Sequence, residues 1–278
     1  MSERFSELLD KWLPPRTHPQ YHVYRSYELK AVERGQAALE EVRQHTDIGG
    51  KLILDVGCGT GGISVAFAKE GGRVIGINSG GTKPLTMRLR LARARARDEK
   101  ADVAFICCDA QRLPFRDGAF DVIICNDVIE HVHRPNELAS EVSKALKPEG
   151  TLYLTAPNRF SPTNIYKDSH YGLFGVALLP RWLARTYITR IKRREKNYSV
   201  SHIPTYRSLV KMFEREGVHL TLSTGNVHAL LHNPAEIEDS GYRRIGVLLK
   251  RLRLDRIAGR LLSSRTFAAN FVFTGRRR

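Results

Sequence analysis

Apolar and polar positions follow two periodicities in the middle of the chain, between residues 51 and 156. Short apolar runs of strand length occur there, such as KLILDVG at 51–57 and FDVIICN at 120–126. They are separated by longer stretches with the apolar stripe of a helix, such as PNELASEVSKALKPEG at 135–150. Continuous apolar strands separated by helices predict a parallel sheet that is covered on both faces.

Five strands and three helices are predicted in this central block, and further elements lie on either side of it. The predicted strands cover 51–57, 73–77, 102–109, 120–126 and 151–157, and the predicted helices cover 62–71, 84–100 and 135–150. Outside the block we predict helices at 2–13, 26–46 and 205–218, an irregular aromatic-rich stretch at 157–203, and closing strands at 219–225 and 266–278. The fold class is therefore α/β, with a mostly parallel seven-stranded sheet and helices on both faces.

The same pattern divides the chain into four consecutive parts. Residues 1–48 form a helical N-terminal prefix, 49–158 the core, 159–203 an inserted segment, and 204–278 the rest of the sheet with C-terminal helices. At 278 residues, the chain has the length of one large domain with a sizeable insertion.

Positive charge is concentrated in two late segments. The formal net charge is +16, of which residues 181–196 contribute +6 and residues 241–278 contribute +10. The remaining residues contain equal numbers of acidic and basic side chains. This distribution indicates that the two segments contact an anionic partner. The alternative is a basic surface that is only solvated.

The second basic segment also has helical periodicity. Apolar side chains share one side of the projected helix, basic side chains lie opposite, and the apolar stripe jumps by roughly half a turn near Asp255. The apolar positions are Ile245, Leu248, Leu249 and Leu252, and the basic positions are Arg243, Arg244, Lys250 and Arg251. Because Asp is a favourable N-cap residue, we predict two short basic amphipathic helices. They either pack on the domain or lie on an anionic membrane surface.

The sequence contains no pattern that predicts secretion, a membrane span or a metal site. The first residues, MSERFSELLDKW, are charged, and the apolar run YGLFGVALLP at 171–180 is about half of the roughly 20 residues that a spanning helix needs. The four cysteines form neither a C-x-x-C pair nor a zinc-type spacing with histidine. We therefore expect a cytoplasmic protein, either free or peripheral to the membrane, without a bound metal.

A glycine-rich stretch, LILDVGCGTGG at 52–62, joins a predicted strand to a predicted helix. Gly57, Gly59 and Gly61 allow the backbone to turn tightly and to approach a ligand closely, with amides at the helix start facing it. Gly57, Gly59 and Gly62 also fit the G-x-G-x-x-G spacing of folds that bind nicotinamide dinucleotides. The glycines alone therefore do not distinguish a nicotinamide dinucleotide from another ligand.

Further motifs follow the glycines in order: Asp109–Ala110, LPFRDGAFDVIICNDVIEHV at 113–132, and LKPEGTLYLTAPN at 146–158. Together with D-x-G-x-G-x-G, they resemble the Rossmann-like S-adenosylmethionine-dependent methyltransferases. The similarity is greatest to the small-molecule branch that includes ubiquinone and menaquinone biosynthesis methyltransferases. It covers about residues 50–158, and more loosely 203–223 and the last strand. The resemblance implies S-adenosylmethionine as cofactor, a small-molecule or lipid-like acceptor, and an acceptor-binding lid in the inserted segment.

The resemblance also assigns cofactor contacts by position. Asp55 and the loop would hold the methionyl end of the cofactor, and the backbone at Asn126 would lie beside its ammonium group. The residues at the end of the second strand would hold the ribose, and Asp109 with Ala110 would meet the adenine. The expected contacts are therefore Asp55, Gly57, Cys58, Gly59, Gly61, Asn78, Ser79, Asp109, Ala110 and Asn126.

Asn78 departs from the family pattern, which has Asp or Glu at this position. A carboxylate accepts hydrogen bonds from both ribose hydroxyls, whereas an amide has one acceptor oxygen and one donor nitrogen. Losing one such bond costs about 1–3 kcal/mol. We interpret Asn78 as a weakened but working ribose contact; a different cofactor is the alternative.

Catalytic and acceptor-binding residues are predicted beyond the cofactor motifs. His131 is the candidate general base because the ordinary pKa of histidine lies near neutrality, and Glu130 beside it is the second candidate; both could instead support the loop. The inserted segment supplies aromatic candidates for the acceptor pocket, with plain packing as the alternative. They are Tyr166, His170, Tyr171, Phe174 and Trp182.

Three functions are weighed. The first is methyl transfer to a small or lipid-like acceptor, at the membrane surface or in solution. The second is an RNA methyltransferase, which the basic charge favours, although neither an N/D-P-P-Y/F motif nor an RNA-binding module is evident. The third is a non-catalytic cofactor-binding protein of the same fold, which Asn78 favours. The fold alone does not choose among them.

Overall fold

The structure is a computed structural model of the chain. It describes residues 4–18, 21–79, 83–168, 171–191, 200, 203–223, 240–262, 264–268 and 270–277, without the side chains of 83–86, 240–243 and 245. A seven-stranded sheet spans this part of the chain, and helices cover both of its faces.

The strands and helices alternate through the centre of the chain, as the periodicity predicts. The strands are β1 Leu52–Val56, β2 Arg73–Asn78, β3 Val103–Cys107, β4 Phe120–Asn126, β5 Leu146–Pro157, β6 Val218–Leu222 and β7 Asn270–Arg277. The first helices are α1 Phe5–Trp12, α2 Tyr21–Leu29, α3 Ala31–Arg43, α4 Gly62–Lys69, α5 Lys83–Asp98 and α6 Pro135–Ala145. The later ones are α7 Pro162–Tyr166, a 3₁₀ turn Val176–Leu178, α8 Arg181–Ile191, α9 Tyr206–Glu214, α10 Ser240–Arg251 and α11 Asp255–Leu262.

The sheet has the strand order β3-β2-β1-β4-β5-β7-β6. The first five strands pair in parallel, and β7 runs antiparallel between β5 and β6. The order reverses at β1, where one crossover goes outward to β2 and the next returns to β4. The carboxyl ends of β1 and β4 therefore flank a crevice of the kind that binds ligands in open α/β sheets. The predicted α/β fold with a mostly parallel seven-stranded sheet is confirmed.

Two apolar layers explain why the central strands are apolar on both sides. Ile53 of β1 packs with α3 and α4 on one face, while Leu54, the next residue, packs with α6 and α9 on the other. Both side chains are fully buried. Successive side chains of a strand point to opposite faces, so β1 is apolar on both faces except at Asp55.

The N-terminal prefix is helical but differs from the prediction in one respect. The single helix predicted over 26–46 is wrong, because α2 ends at Leu29 and α3 begins at Ala31. Lys30 between them has non-helical dihedral angles, φ −82° and ψ 9°. α1 packs on α5, and α3 packs on α4. The prefix therefore lies against the helices that surround the glycine loop.

The inserted segment, predicted as irregular, contains helices, and the C-terminal segment contains two helices. Within 159–203, the 3₁₀ turn and α8 pack with Tyr171, Val200 and Ile203 in a small apolar core, and α7 contacts the 3₁₀ turn. The two predicted C-terminal helices are confirmed as α10 and α11, and the second begins at Asp255 as expected. Among the described residues, no helix is long and apolar enough to cross a membrane.

Candidate cofactor site

The glycine loop between β1 and α4 makes a tight turn that requires glycine. Gly57, Gly59 and Gly61 have φ angles of 72°, 54° and 81°, in the left-handed region that other residues rarely adopt. A Cβ atom on Gly57 would lie 2.4 Å from Cγ2 of Val128. The amide of Cys58 donates to the carbonyl oxygen of Ile77, 2.9 Å away, which ties the loop to β2.

A cavity of about 520 Å³ lies over this loop. Four parts of the chain line it: the N-terminal helices, the end of β1 with the loop and the start of α4, α5, and the carboxyl end of β4. The N-terminal residues, here called the N-terminal wall, are Tyr27, Glu28, Ala31, Arg34 and Ala37. The remaining lining residues are Asp55, Gly57, Cys58, Gly59, Thr60, Gly62, Ile63, Arg88, Asn126 and Asp127. The volume lies within the range of cofactor pockets.

Asp55 places a buried carboxyl group at the floor of the cavity. Oγ of Ser64 donates to Oδ2 of Asp55 at 2.5 Å, which joins the end of β1 to the first turn of α4. Burial raises the pKa of Asp55 to about 6, and the hydrogen bonds from Ser64 oppose the shift. The ionised form therefore predominates at neutral pH, where Asp55 is available to a cationic or hydrogen-bonding ligand group.

A second carboxyl group, Asp127, stands at the end of β4. It has a φ of 53°, unusual for a residue with a side chain. Its amide donates to Oγ1 of Thr155 at 2.9 Å, and that hydroxyl donates to Oδ1 of Asp127 at 2.8 Å. Nδ2 of Asn126 donates to the other carboxylate oxygen at 3.2 Å. β5 therefore fixes Asp127 at the cavity rim.

Asn78 ends β2 with its side chain almost wholly buried, at 9% exposed. Its amide nitrogen Nδ2 has no hydrogen-bond partner within the described ranges. A buried donor without an acceptor is costly, so this nitrogen is suited to a ligand group that accepts a hydrogen bond. A ribose hydroxyl is such a group. This unmatched donor fits the expected nucleoside part of the cofactor, although it offers a donor where the family pattern offers an acceptor.

The predicted cofactor contacts fall into three groups. Asp55, Gly57, Cys58, Gly59 and Asn126 line the cavity. Gly61 shapes the turn beneath it, since a Cβ there would lie 3.0 Å from Ala92 Cβ and from Phe105 Cζ. The contacts expected from the ribose and adenine positions, Asn78, Ser79, Asp109 and Ala110, lie outside the lining.

Asp109 is already engaged in a turn. Its Oδ1 accepts hydrogen bonds from the backbone amide of Gln111 at 2.9 Å and from Nε2 of the same residue at 3.1 Å. The backbone bond is the main cause that lowers the pKa of Asp109. The contact of Asp109 with adenine therefore remains a prediction, and the turn gives this residue a structural role in any case.

The catalytic candidates lie next to the cavity rather than in its lining. Oε1 of the buried Glu130 lies 3.8 Å from Nε2 of His131, whose side chain is 41% exposed. Burial, together with the nearby charge of Asp127, raises the pKa of Glu130 to about 8. Glu130 is therefore mostly protonated at neutral pH, and only a minor ionised fraction is able to accept a proton there. His131 is the better candidate of the two.

The acceptor candidates of the inserted segment do not converge on the cavity. Tyr166, Phe174 and Trp182 are 65%, 67% and 69% exposed, and Tyr171 is buried in the small core of the segment itself. His170 lies outside the described residues. Their role in acceptor binding stays a prediction. No group of three or more His, Cys, Asp or Glu side chains in the described ranges is arranged to hold a metal ion.

Several residues that line the cavity were not predicted from the sequence. Tyr27, Glu28 and Arg34 reach it from helices that precede the glycine motif, and Arg88 reaches it from α5. Nothing in their local pattern indicates this, because packing between distant elements brings them there. Asp127 could have been found, since an acidic residue directly after a buried strand at the switch point is a candidate ligand contact.

The strand order, the glycine turn at the end of β1 and the cavity at the switch point define the class. The chain contains a methyltransferase domain with a Rossmann-like fold. Residues 54–154 match the family model described as a methyltransferase domain. The expected methyltransferase class is confirmed for this part of the chain.

Relatives with known names agree with this class. A ubiquinone biosynthesis O-methyltransferase of Idiomarina loihiensis is 31% identical over 159 residues, which are 56% of this chain and 59% of that protein. The chain thus matches about three fifths of the length of this curated relative. Among solved structures, the phosphoethanolamine N-methyltransferase 2 of Haemonchus contortus in complex with S-adenosyl-L-methionine has a TM-score of 0.55. It is 19% identical and covers 99% of this chain and 60% of that one.

A second similar structure is named as an enzyme that catalyses a different reaction. The [4+2]-cyclase SpnF has a TM-score of 0.53 and 18% identity, and it covers 87% of this chain and 80% of that one. At these identities, the two structures show a common fold and no more. The fold therefore does not fix the reaction.

Proposed function

We propose that this protein transfers a methyl group from S-adenosylmethionine to a small or lipid-like acceptor. The observation that carries the proposal is the 520 Å³ cavity over the glycine turn in a methyltransferase domain, with carboxyl groups at its floor and rim. The bound cofactor supplies an already activated methyl group on its sulfonium. The task of the chain is therefore to align the acceptor, exclude water and take up a proton.

The polar groups of the cavity suit the two ends of this cofactor. The carboxylates of Asp55 and Asp127 are acceptors for the methionyl ammonium group, and the guanidinium groups of Arg34 and Arg88 complement its carboxylate. The unmatched donor of Asn78 suits the ribose. Asp109 and Ala110 remain the proposed adenine contacts.

The proposed acceptor is a quinone-like or other amphipathic molecule with a hydroxyl group. Support comes from the name of the Idiomarina relative and from the exposed aromatic side chains of the inserted segment. Methylation of a hydroxyl oxygen releases a proton. His131 is the proposed base, since Glu130 is mostly protonated at neutral pH.

Peripheral binding to an anionic membrane surface is the second part of the proposal. α8 exposes Trp182, Leu183 and Ile191 beside its arginines. α10 exposes Val247 and Leu248 beside Arg244, Lys250 and Arg251, and Leu252 directly after it is exposed as well. Basic helices with exposed apolar side chains are typical of proteins that lie on bilayers. Such a position would give the enzyme access to a lipid-like acceptor.

A non-catalytic or differently reacting protein of the same fold is the second candidate. It is favoured by Asn78, which departs from the family pattern, and by the fold that is shared with a cyclase. It predicts cofactor binding without methyl transfer.

The first test is cofactor binding by titration calorimetry, with two matched glycine variants. Gly57→Ala places a Cβ 2.4 Å from Val128 at the cavity, whereas Gly175→Ala has the same kind of backbone strain, φ 74° against 72°, and no atom within 4 Å. We expect wild type and Gly175→Ala to bind S-adenosylhomocysteine equally. Gly57→Ala should lose about tenfold or more, because overpacking costs about 1–3 kcal/mol. Absence of wild-type binding would refute the proposal.

The second readout separates the candidate functions. Purified protein is incubated with methyl-labelled S-adenosylmethionine and either a lipid extract or total RNA. Label in the organic phase supports the proposed enzyme, and label in RNA supports the RNA methyltransferase. Binding without label in either fraction favours the second candidate.

A further inference from the structure

Arg95 lies on α5 with its guanidinium group almost completely buried. Its side chain is only 4% exposed, and burial lowers its pKa to about 10, so the group remains charged at neutral pH. A buried cation is tolerated only where hydrogen-bond acceptors or carboxylates surround it. The sequence gives no hint of this, since Arg95 is one of several arginines on the helix.

The groups around Arg95 come from three other parts of the chain. Nε donates to the carbonyl oxygen of Thr60 at 2.8 Å, and Nη2 donates to the carbonyl oxygen of Glu28 at 2.8 Å. Nη2 also lies 3.2 Å from Oγ1 of Thr60 and 3.6 Å from Oε2 of Glu28. The ring of Phe5 in α1 lies 3.8 Å from Cζ. One guanidinium group thus joins α1, the end of α2 and the glycine loop.

Thr60 and Glu28 are also bonded to each other. Oγ1 of Thr60 donates to Oε2 of Glu28 at 2.5 Å. Both residues line the cofactor cavity, whereas Arg95 stands behind them. Because a guanidinium group is planar with donors in fixed directions, it fixes the carbonyl groups of Thr60 and Glu28 relative to each other. If α2 moved away from the loop, the buried charge would lose the acceptors and the carboxylate on that side.

We propose that Arg95 is a positioning residue of the cofactor site, which holds the N-terminal wall against the glycine loop. The inference rests on the proposed function, since the ligand concerned is S-adenosylmethionine. Arg95 touches no reacting atom and does not line the cavity. It therefore sets the affinity for the cofactor and the rate at which the cofactor exchanges.

The test compares full-length wild type with Arg95→Met, and uses Arg90→Met on the exposed side of the same helix as the matched control. S-adenosylhomocysteine affinity is measured by calorimetry, and amide hydrogen exchange is measured for peptides from α2. We expect Arg95→Met to weaken binding between about threefold and thirtyfold, the range for residues that act through a network without touching the ligand. Exchange in α2 should rise selectively. Arg90→Met should leave both measurements unchanged.

A second variant covers the case in which Arg95→Met fails to fold. Arg95→Lys keeps the charge but lacks the planar set of donors, and it should give the same changes in smaller measure. Wild-type affinity in the folded variants, or exchange that rises evenly across the sheet and not in α2, would overturn the inference. A wild type that does not bind the ligand would overturn the proposed function instead, and the exchange of α2 would still decide the role of Arg95.

Discussion

Asn78 is the residue at which this chain departs most clearly from its family. Its side chain is buried at the end of β2, and its amide nitrogen has no acceptor in the described part of the structure. The oxygen of a ribose hydroxyl can accept from this nitrogen, and a second hydroxyl can donate to the amide oxygen. The residue therefore suits a nucleoside, although with weaker bonds than a carboxylate makes.

Replacing Asn78 with Asp tests this interpretation. The carboxylate would accept from both hydroxyls, so Asn78→Asp should tighten S-adenosylhomocysteine binding by about 1–3 kcal/mol. Calorimetry at neutral pH measures the change, and Asn78→Ala, which should weaken binding, is the control. Unchanged or weaker binding by Asn78→Asp would indicate another cofactor or another contact.

At the scale of elements, the close contact of α3 with α4 builds the N-terminal wall. A Cβ on Gly35 of α3 would lie 2.8 Å from Cβ of Ala66, and a Cβ on Gly62 would lie 2.6 Å from the backbone of Ala31. Glycines at these positions let the two helices approach closely. α3 thereby carries Arg34 and Ala37 to the cavity.

Gly35→Val should therefore disturb both the fold and the site. Its branched side chain would push α3 away from α4, at a cost of about 1–3 kcal/mol in the free energy of unfolding. We expect weaker S-adenosylhomocysteine binding as well, because the wall moves with α3. Urea denaturation and calorimetry measure the two effects. Glu40→Val, at an exposed position of the same helix, is the control for helix propensity. If both variants behave alike, the contact is not what positions the wall.

Local periodicity predicts most elements here, but not how they meet. The strands from β1 to β5 and the break before Asp255 follow from apolar patterns and a cap residue. The break between α2 and α3 at Lys30 could not be predicted in this way, because no glycine or proline marks it. α2 is held at Glu28 by Thr60 and Arg95, while α3 is held at Gly35 by α4. Thr60, Arg95 and α4 are distant in sequence from the residues that they hold. The N-terminal wall could therefore not be predicted from local patterns, whereas the glycine loop could.

At the scale of the whole molecule, charge and exposed apolar surface occur in the same segments. The excess of +16 resides in 181–196 and 241–278, and these contain α8, α10 and α11. α10, α11 and the turn between them expose Leu248, Leu252, Ile257 and Leu261, each more than half accessible. Packing on the domain therefore leaves much of their apolar surface uncovered. The membrane alternative raised by the sequence accounts for both features.

Vesicle co-sedimentation tests the membrane proposal. Each basic residue near an anionic bilayer contributes about 1 kcal/mol, so several acting together give measurable binding. Binding should require anionic lipid and should weaken at high salt, since the Debye length is about 8 Å at physiological ionic strength. A variant with Arg243, Arg244, Lys250 and Arg251 changed to Gln should lose most of it. A control with Arg90, Arg97, Lys100 and Arg116 changed to Gln has the same net charge and should bind like wild type. Equal binding to neutral vesicles, or equal loss in both variants, would assign the charges to something other than a membrane-binding surface.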